Sequence, residues 1–275
     1  MSARAFIGPY RALLSVRFSL MLQYRTAAVA GFVTQCWWGI IKIMVLAAFF
    51  AGNSRQPISL SQAVTYVWLG QAFLALLPWQ ADADIAVAAE TGNVGYERLR
   101  PVDTYSLWFV RALAWRTANA CLRAVPMFAV AAIFLPLAGL AAWSWRPPAS
   151  PLSGLTFAIS MTLTVLLSSA MTVILDCAVV ALKTRRASNL APLFVNILSG
   201  MVVPLALMPH WAQGFLFWQP CAGLVDIPYR IYFGNLVGRT AGEGLAAQGL
   251  WTFVFIFLGR TWLRRVMDRI DMQGS

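Results

Sequence analysis

Charge is scarce in this chain: Asp, Glu, Lys and Arg make up 11% of its 275 residues, against 60% hydrophobic residues. Soluble globular domains carry about 25% charged residues, so a soluble helical protein is the weaker alternative. A membrane-spanning helix needs roughly 20 apolar residues. Six apolar stretches lie between the charge clusters, at about 27–51, 60–81, 124–142, 152–182, 188–208 and 245–259. The sequence therefore predicts an all-α integral membrane protein with six transmembrane helices.

Cysteine and histidine are rare as well. The four cysteines lie far apart without a Cys-x-x-Cys pair, and His210 is the single histidine. Zinc sites and disulfide frameworks need several such residues at close spacing, so we expect no metal site. We expect the cysteines to be small packing residues within the membrane. His210 is expected at the outer interface, with a lone ligand or proton shuttle as the alternative.

The signatures of catalysis are missing too. The chain contains no His-Glu-x-x-His, no Gly-x-x-x-x-Gly-Lys-Ser/Thr and no glycine-rich phosphate loop. These motifs supply metal-bound water or hold nucleotide phosphates. We therefore expect that the chain is not an enzyme, has no catalytic residue and binds no cofactor of its own.

The basic residues predict the orientation, since Lys and Arg near span ends stay in the cytoplasm. With six crossings and an inner N-terminus, the outer side holds only Arg55, Arg146, Arg230 and Arg239, and Lys42 lies within a span. The other Lys and Arg residues are then cytoplasmic. The chain is thus predicted to be multi-pass in the cell inner (cytoplasmic) membrane, with both termini in the cytoplasm. A basic inner face beside the anionic headgroups of membrane lipids would explain the net charge of +11. We therefore expect no nucleic-acid partner.

The first 25 residues alternate apolar and basic positions. They lack the uninterrupted apolar core of a secretory signal peptide. Residues 1–25 are predicted to form an amphipathic helix in the inner membrane interface. A solvated N-terminal arm is the alternative.

Polar residues within the apolar stretches are candidates to line a translocation path, namely Gln35, Trp38, Lys42, Gln71, Asp176 and Asn196. Lys42 would lie roughly 15 Å from the outer end of its span and Asp176 roughly 9 Å from the inner end of its own, at 1.5 Å per residue. The two can pair if their helices touch, or each can extend to the nearer water surface. Helix packing is the alternative role for the uncharged residues.

The segment after the second stretch carries charges of both signs. A short helical pattern through Glu90 breaks at Gly92, and Pro101 stops any helix that would run through it. We predict that residues 84–104 form a structured cytoplasmic docking surface, with an interfacial helix resting on lipid as the alternative. Its candidate residues are Asp84, Glu90, Gly92, Glu97, Arg98, Arg100 and Pro101.

Residues 209–240 combine helix-breaking prolines with many aromatics, which suit the membrane interface. Two short re-entrant or interfacial helices, broken at Pro220, would meet the rule that non-helical backbone at membrane depth is covered by protein or faces water. They are predicted to form an outer lid, with an ordinary interfacial belt as the alternative. The candidate lid residues are Pro209, Trp211, Pro220, Pro228 and Gly234.

Two motifs carry a resemblance to a known family. Glu90-x-Gly92, followed by Leu99-Arg100-Pro101, resembles the coupling segment of ABC-2-type permeases, the membrane subunits of ATP-binding-cassette exporters. The series Met208-Pro-His-Trp211, Trp218-Gln-Pro220, Asp226-Ile-Pro228 and Tyr232-Phe-Gly234 is similar to the segment after the fifth span in the daunorubicin-export-like branch. Glu97-Arg98 departs from the pattern, since the family usually has apolar residues there.

The resemblance implies that residues 1–275 form one ABC-2-type transmembrane domain, the permease subunit of an ATP-driven exporter. Separate ATPase subunits would bind ATP and Mg and push on the segment 84–104. A second permease copy, or a related permease, would complete the path for a hydrophobic or amphiphilic cargo such as a drug-like compound, lipid or peptide. The alternative is an ion-coupled secondary carrier, or a membrane scaffold subunit without an ATPase partner.

Overall fold

The structure, a computed structural model, describes residues 3–23, 25–52 and 58–274. Within these ranges, the side chains of residues 3–7, 21–22, 25–28, 98, 187 and 270–274 lie outside the description. The described residues contain helices and no strand. The helices are α1 Ala3–Gln23, α2 Arg25–Gly52, α3 Leu60–Ala72, α4 Ala83–Glu90, α5 Thr104–Ala129, α6 Leu135–Leu137, α7 Pro151–Leu182, α8 Ala191–Leu198, α9 His210–Trp218, α10 Asp226–Tyr232 and α11 Gly238–Gly274.

Four helical segments are long and apolar enough to cross a membrane: Val29–Gly52, Thr104–Leu137, Pro151–Leu182 and Gly238–Arg269. The second runs from α5 through a π-helical turn, Val130–Phe134, into α6. A helix of 32 residues, such as Pro151–Leu182, is about 48 Å long, so it exceeds the roughly 30 Å hydrocarbon core. The all-helical class and a multi-pass membrane protein are confirmed at this level.

The second and fifth predicted spans differ from expectation because each is a broken helix. α3 has 13 residues and is followed by a 3-10 turn at Leu74–Leu76. α8 has 8 residues and is followed by Gly200, whose φ of +87° ends the helical path. Helices of this length rise only about 20 Å and 12 Å. The count of six spans therefore stays a prediction.

α5 begins much earlier than the predicted third stretch at 124–142. Asp103 caps it, since its carboxylate accepts the backbone N–H of Ser106 at 2.9 Å. The helix therefore includes Arg111 and Arg116, which the charge pattern placed in a cytoplasmic loop. Both side chains are buried in the bundle, because α1 and α7 pack along α5.

α7 lies at the centre of the bundle and packs against α4, α5, α10 and α11. α11 approaches α5 closely at Gly259, where an added Cβ would lie 2.8 Å from a ring carbon of Tyr105. Tyr105 is itself buried. The Cys177 thiol of α7 points to the Gly259 carbonyl at 3.9 Å. Glycine at this position therefore lets three long helices meet.

Residues 209–240 contain the helix break that we predict at Pro220. α9 ends at Trp218, a 3-10 turn covers Pro220–Leu224, and α10 follows. The two short helices have different surroundings: Trp211 on α9 is 87% exposed, whereas Tyr229 on α10 is buried. Their depth in the membrane stays a prediction.

The helix crossing at Gly259 yields a stability prediction. Gly259→Val is expected to lower the free energy of unfolding by about 2 kcal/mol, because the new side chain overpacks against Tyr105. Gly249→Val is the matched control, since it lies on the same helix with nothing within 4 Å of an added Cβ. Unfolding in mixed detergent micelles measures both variants. Equal stabilities would contradict the close approach of α11 to α5.

Candidate functional site

α4 begins and ends with local signals that the sequence contains. The Asp82 carboxylate accepts the backbone N–H groups of Asp84 at 2.9 Å and Ile85 at 3.3 Å, which is how aspartate caps a helix. At the other end, Gly92 adopts φ +76°, a left-handed conformation that glycine accepts without strain. A 3-10 segment, Asn93–Leu99, follows. The predicted docking surface is thus a short helix, a turn and a second short helical segment.

Arg111 of α5 binds this segment through ion pairs. Its guanidinium donates to Asp82 at 3.0 Å and to Asp84 at 3.0 Å, and lies 3.9 Å from Glu97. The Arg111 side chain is only 5% exposed, and charge-assisted hydrogen bonds of this kind are stronger than neutral ones. Arg17 of α1 also donates to Asp84, at 2.7 Å. We call Arg17, Asp82, Asp84, Glu97 and Arg111 the arginine clamp.

The hydrogen bond from Arg17 lowers the pKa of the Asp84 carboxyl, opposed by partial burial. The charge of Arg111 acts in the same direction. Asp84 therefore stays ionised at neutral pH and keeps its contacts with both arginines. An arginine between three carboxylates also argues against a cation site in this cluster. Across the described part of the chain, no group of three or more His, Cys, Asp or Glu side chains is placed to hold a metal ion.

α4 is also tied to α7. The Asp176 carboxylate accepts the backbone N–H of Asp82 at 2.7 Å, and the Asp176 side chain is fully buried. Beyond the end of α7, Arg185 donates to Glu90 at 3.1 Å. The segment is therefore joined by charged contacts to α1, to α5 and to both sides of the α7 terminus.

The outward side of the segment is exposed and partly apolar. Val87 is 47%, Tyr96 68% and Leu99 78% exposed, and we call these three residues the exposed strip. Gly92 and Pro101 lie beside it and are exposed too. Arg100 pairs with Glu97 at 3.4 Å. Of the predicted docking residues, the side chain of Arg98 lies outside the described part.

A second feature is a cavity of about 530 Å³ between α2, the end of α3 and α8. Its lining includes five of the six predicted path residues, which are Gln35, Trp38, Lys42, Gln71 and Asn196. Asp176 is not among them, since it bonds to α4 at the end of the bundle. The structure therefore does not bring Lys42 and Asp176 together.

Arg123 also lines this cavity, and the sequence reasoning missed it by placing it in the inner loop. With the Gln35 amide oriented to match its neighbours, its oxygen accepts from Arg123 at 3.2 Å and its nitrogen donates to the Gln71 carbonyl at 3.3 Å. A helix-compatible sequence with no Pro or Gly from Thr104 to Val125 was the available signal. It indicates a helix that continues past Arg123.

A smaller pocket of about 270 Å³ continues the cavity along α2. It shares Trp38, Lys42 and Gln71 with the larger cavity, and the rest of its lining is almost entirely apolar. The Val45 and Phe49 side chains on its rim are more than half exposed. Together, the two form a groove with a polar part and an apolar part.

The five predicted lid residues do not share one surface. Trp211 is exposed, whereas Pro228 is buried within α10. Gly234 adopts φ +73°, and an added Cβ there would lie 3.0 Å from Ala149. The segment is thus partly core and partly surface, and its role as a lid stays a prediction.

Comparison with the models of known protein families finds no match. No curated protein matches the chain either. The case for a function therefore depends on the clamp, the exposed strip and the groove.

The clamp gives a second stability prediction. Arg111→Ala is expected to lower the free energy of unfolding by about 2 kcal/mol, because it leaves partly buried carboxylates without their shared cation; the exposure of Asp84 keeps the loss below that of a fully buried pair. Arg111→Lys should lower the free energy of unfolding by less, since lysine keeps the positive charge and loses only the planar guanidinium group that contacts several carboxylates at once.

Arg239→Ala is the control for both variants. Arg239 has a side chain 92% exposed and pairs with Glu243 on its own helix, so its loss should change stability by less than about 0.5 kcal/mol. Unfolding in mixed detergent micelles measures all three. If Arg111→Ala is as stable as Arg239→Ala, the clamp does not hold α4.

Proposed function

We propose that this chain is the membrane permease subunit of an ATP-driven exporter of the ABC-2 type. In this proposal, separate ATPase subunits bind ATP and Mg and dock on the segment 84–104. The groove beside α2 forms one wall of the path for a hydrophobic or amphiphilic cargo. A second copy of this chain, or a related permease, forms the other wall.

The observation that carries the proposal is the arginine clamp together with the exposed strip. A short element that only rested on lipid would not need charged contacts to α1, α5 and the end of α7. Those contacts hold α4 in a fixed position against the long helices. A force applied at Tyr96 or Leu99 would therefore pass into α5 and α7 rather than bend a loop.

The distribution of arginines supports an orientation with this end in the cytoplasm. Arg17, Arg111 and Arg185 belong to the ion pairs around α4. Arg260 of α11 reaches the same end, since it donates to Ser106 near the start of α5 at 3.2 Å. Arg146 follows the other end of that helix. Gathering of basic residues on one side is typical of the cytoplasmic face.

An ATPase partner can be tested directly. Tyr96→Ala with Leu99→Ser is expected to lower permease-dependent ATPase activity and recovery of the complex by about tenfold, because both side chains are exposed and their loss leaves the clamp intact. Hot-spot residues of this kind contribute about 2 kcal/mol or more to binding. Arg239→Ala, at an exposed position outside the clamp and the strip, should leave both unchanged.

Glu90→Ala and Arg185→Ala separate docking from local structure. Both break the same 3.1 Å ion pair, but only the first removes the carboxylate of the proposed docking motif. We expect Glu90→Ala and Arg100→Ala to reduce ATPase stimulation more than Arg185→Ala does. Wild-type coupling in Glu90→Ala, Arg100→Ala and the Tyr96/Leu99 variant would refute the docking assignment.

An ion-coupled carrier is the second candidate, and one observation favours it. Asp176 is fully buried, and its Oδ2 atom has no hydrogen-bond partner in the described chain. Buried carboxylates within membrane helices often serve as ion or proton sites. Transport that follows a proton gradient and stops in Asp176→Asn, without any ATPase, would establish this function in place of the exporter.

A further inference from the structure

The groove beside α2 contains two cations that have no anionic partner among the described residues. Lys42 of α2 and Arg123 of α5 both line the larger cavity, and no acidic residue lines either part of the groove. Neither cation forms an ion pair within the described ranges. The Nε atom of Arg123 is buried there without a hydrogen-bond partner.

This arrangement differs from that of the other arginines of α5. Arg111 meets carboxylates, and the buried Arg116 donates to the Ser168 and Thr172 hydroxyls. Within the described part of the chain, the one hydrogen-bond acceptor that faces Arg123 is the Gln35 amide oxygen. An unpaired cation at membrane depth is costly, so the site favours a bound anion. A carboxylate, sulfate or phosphate group would supply charge-assisted hydrogen bonds to Arg123 and Lys42.

The apolar part of the groove defines the rest of the ligand. It starts at Lys42 and continues past Val45, Leu46 and Phe49, so an anionic head near Lys42 would place its tail there. The cavity of about 530 Å³ lies within the range of sites for drug-sized ligands, roughly 300–1,000 Å³. The smaller, apolar part of about 270 Å³ has room for one chain rather than two.

We propose that the groove binds an anionic amphiphile with a single apolar tail, and that this class of compound is the cargo. The assignment to cargo depends on the proposed exporter function, whereas the binding itself does not. Val45 and Phe49 are exposed on the rim. The ligand therefore enters from the bilayer with its tail first, and its head leaves the lipid headgroup region last.

The test uses the purified full chain in phosphatidylcholine nanodiscs. Three photoreactive probes share one diazirine-bearing hexadecyl tail and differ in the head: phosphate, hydroxyl or trimethylammonium. Mass spectrometry locates the label. We expect saturable labelling of the α2 and α3 peptides by the phosphate probe, at least about fivefold above the other two. Equal labelling by the trimethylammonium probe would overturn the assignment of an anion site.

Lys42→Gln with Arg123→Gln should reduce phosphate-probe labelling by about tenfold or more, since each lost charged contact is worth about a factor of ten. Val45→Trp is an independent variant that fills the tail pocket and leaves both cations in place; it should reduce labelling to a similar degree. Arg239→Gln, outside the groove, is the control and should label as wild type does. Wild-type labelling in the double variant and in Val45→Trp would overturn the site.

Phosphatidylglycerol in the nanodiscs distinguishes cargo from resident lipid. A two-chain anionic phospholipid should not displace the single-chain probe; full displacement would assign the groove to a bilayer lipid and overturn the proposal. The assay contains no ATPase, so a negative result would leave the exporter proposal standing. That proposal fails instead if the exposed-strip and Glu90 variants keep wild-type coupling.

Discussion

Three arginines along one candidate membrane helix, α5, organise this structure. α5 carries Arg111, Arg116 and Arg123, and a charged side chain within a membrane helix is costly unless it has partners. Arg111 finds carboxylates of the α4 segment, Arg116 finds hydroxyls of α7, and Arg123 faces the groove. The surface segment, the central helix and the groove are each set against α5 by one of these contacts.

This arrangement joins the proposed docking segment to the groove along one helix. Twelve residues separate Arg111 from Arg123, which is about 18 Å along a rigid helix. In the proposed exporter, a displacement of α4 would act on Arg111 through the clamp, and α5 would carry it along the helices α1 and α7 that pack against it. The groove would then change where Arg123 meets Gln35. Such coupling requires two states of the α5 contacts, and the variants at Arg111 and Arg123 alter its two ends.

Local signals in the sequence were sufficient for much of the fold. The apolar runs predicted the long helices, Pro220 predicted the break before α10, and Gly92 predicted the end of α4. Five of the six path candidates do share a cavity. The sequence alone could not predict which charged residues pair, since the contact of Asp82 with Arg111 depends on tertiary packing. The charge pattern therefore predicted a loop for these arginines. They lie on α5 instead, because tertiary contacts offset the cost of placing their charges inside the bundle.

The two predicted spans that are not membrane-long helices both border the groove, together with α2 and α5. α3 and α8 end early, and the residues just beyond them, Leu74 and Met201, line the cavity. Non-helical backbone at membrane depth is tolerated where it is covered by protein or lines a cavity, and α3 is largely buried. Composition alone cannot reveal such breaks, because an apolar run looks the same in either case. These two breaks in predicted spans therefore lie at the proposed path, where a local departure from a regular helix is expected of a functional site.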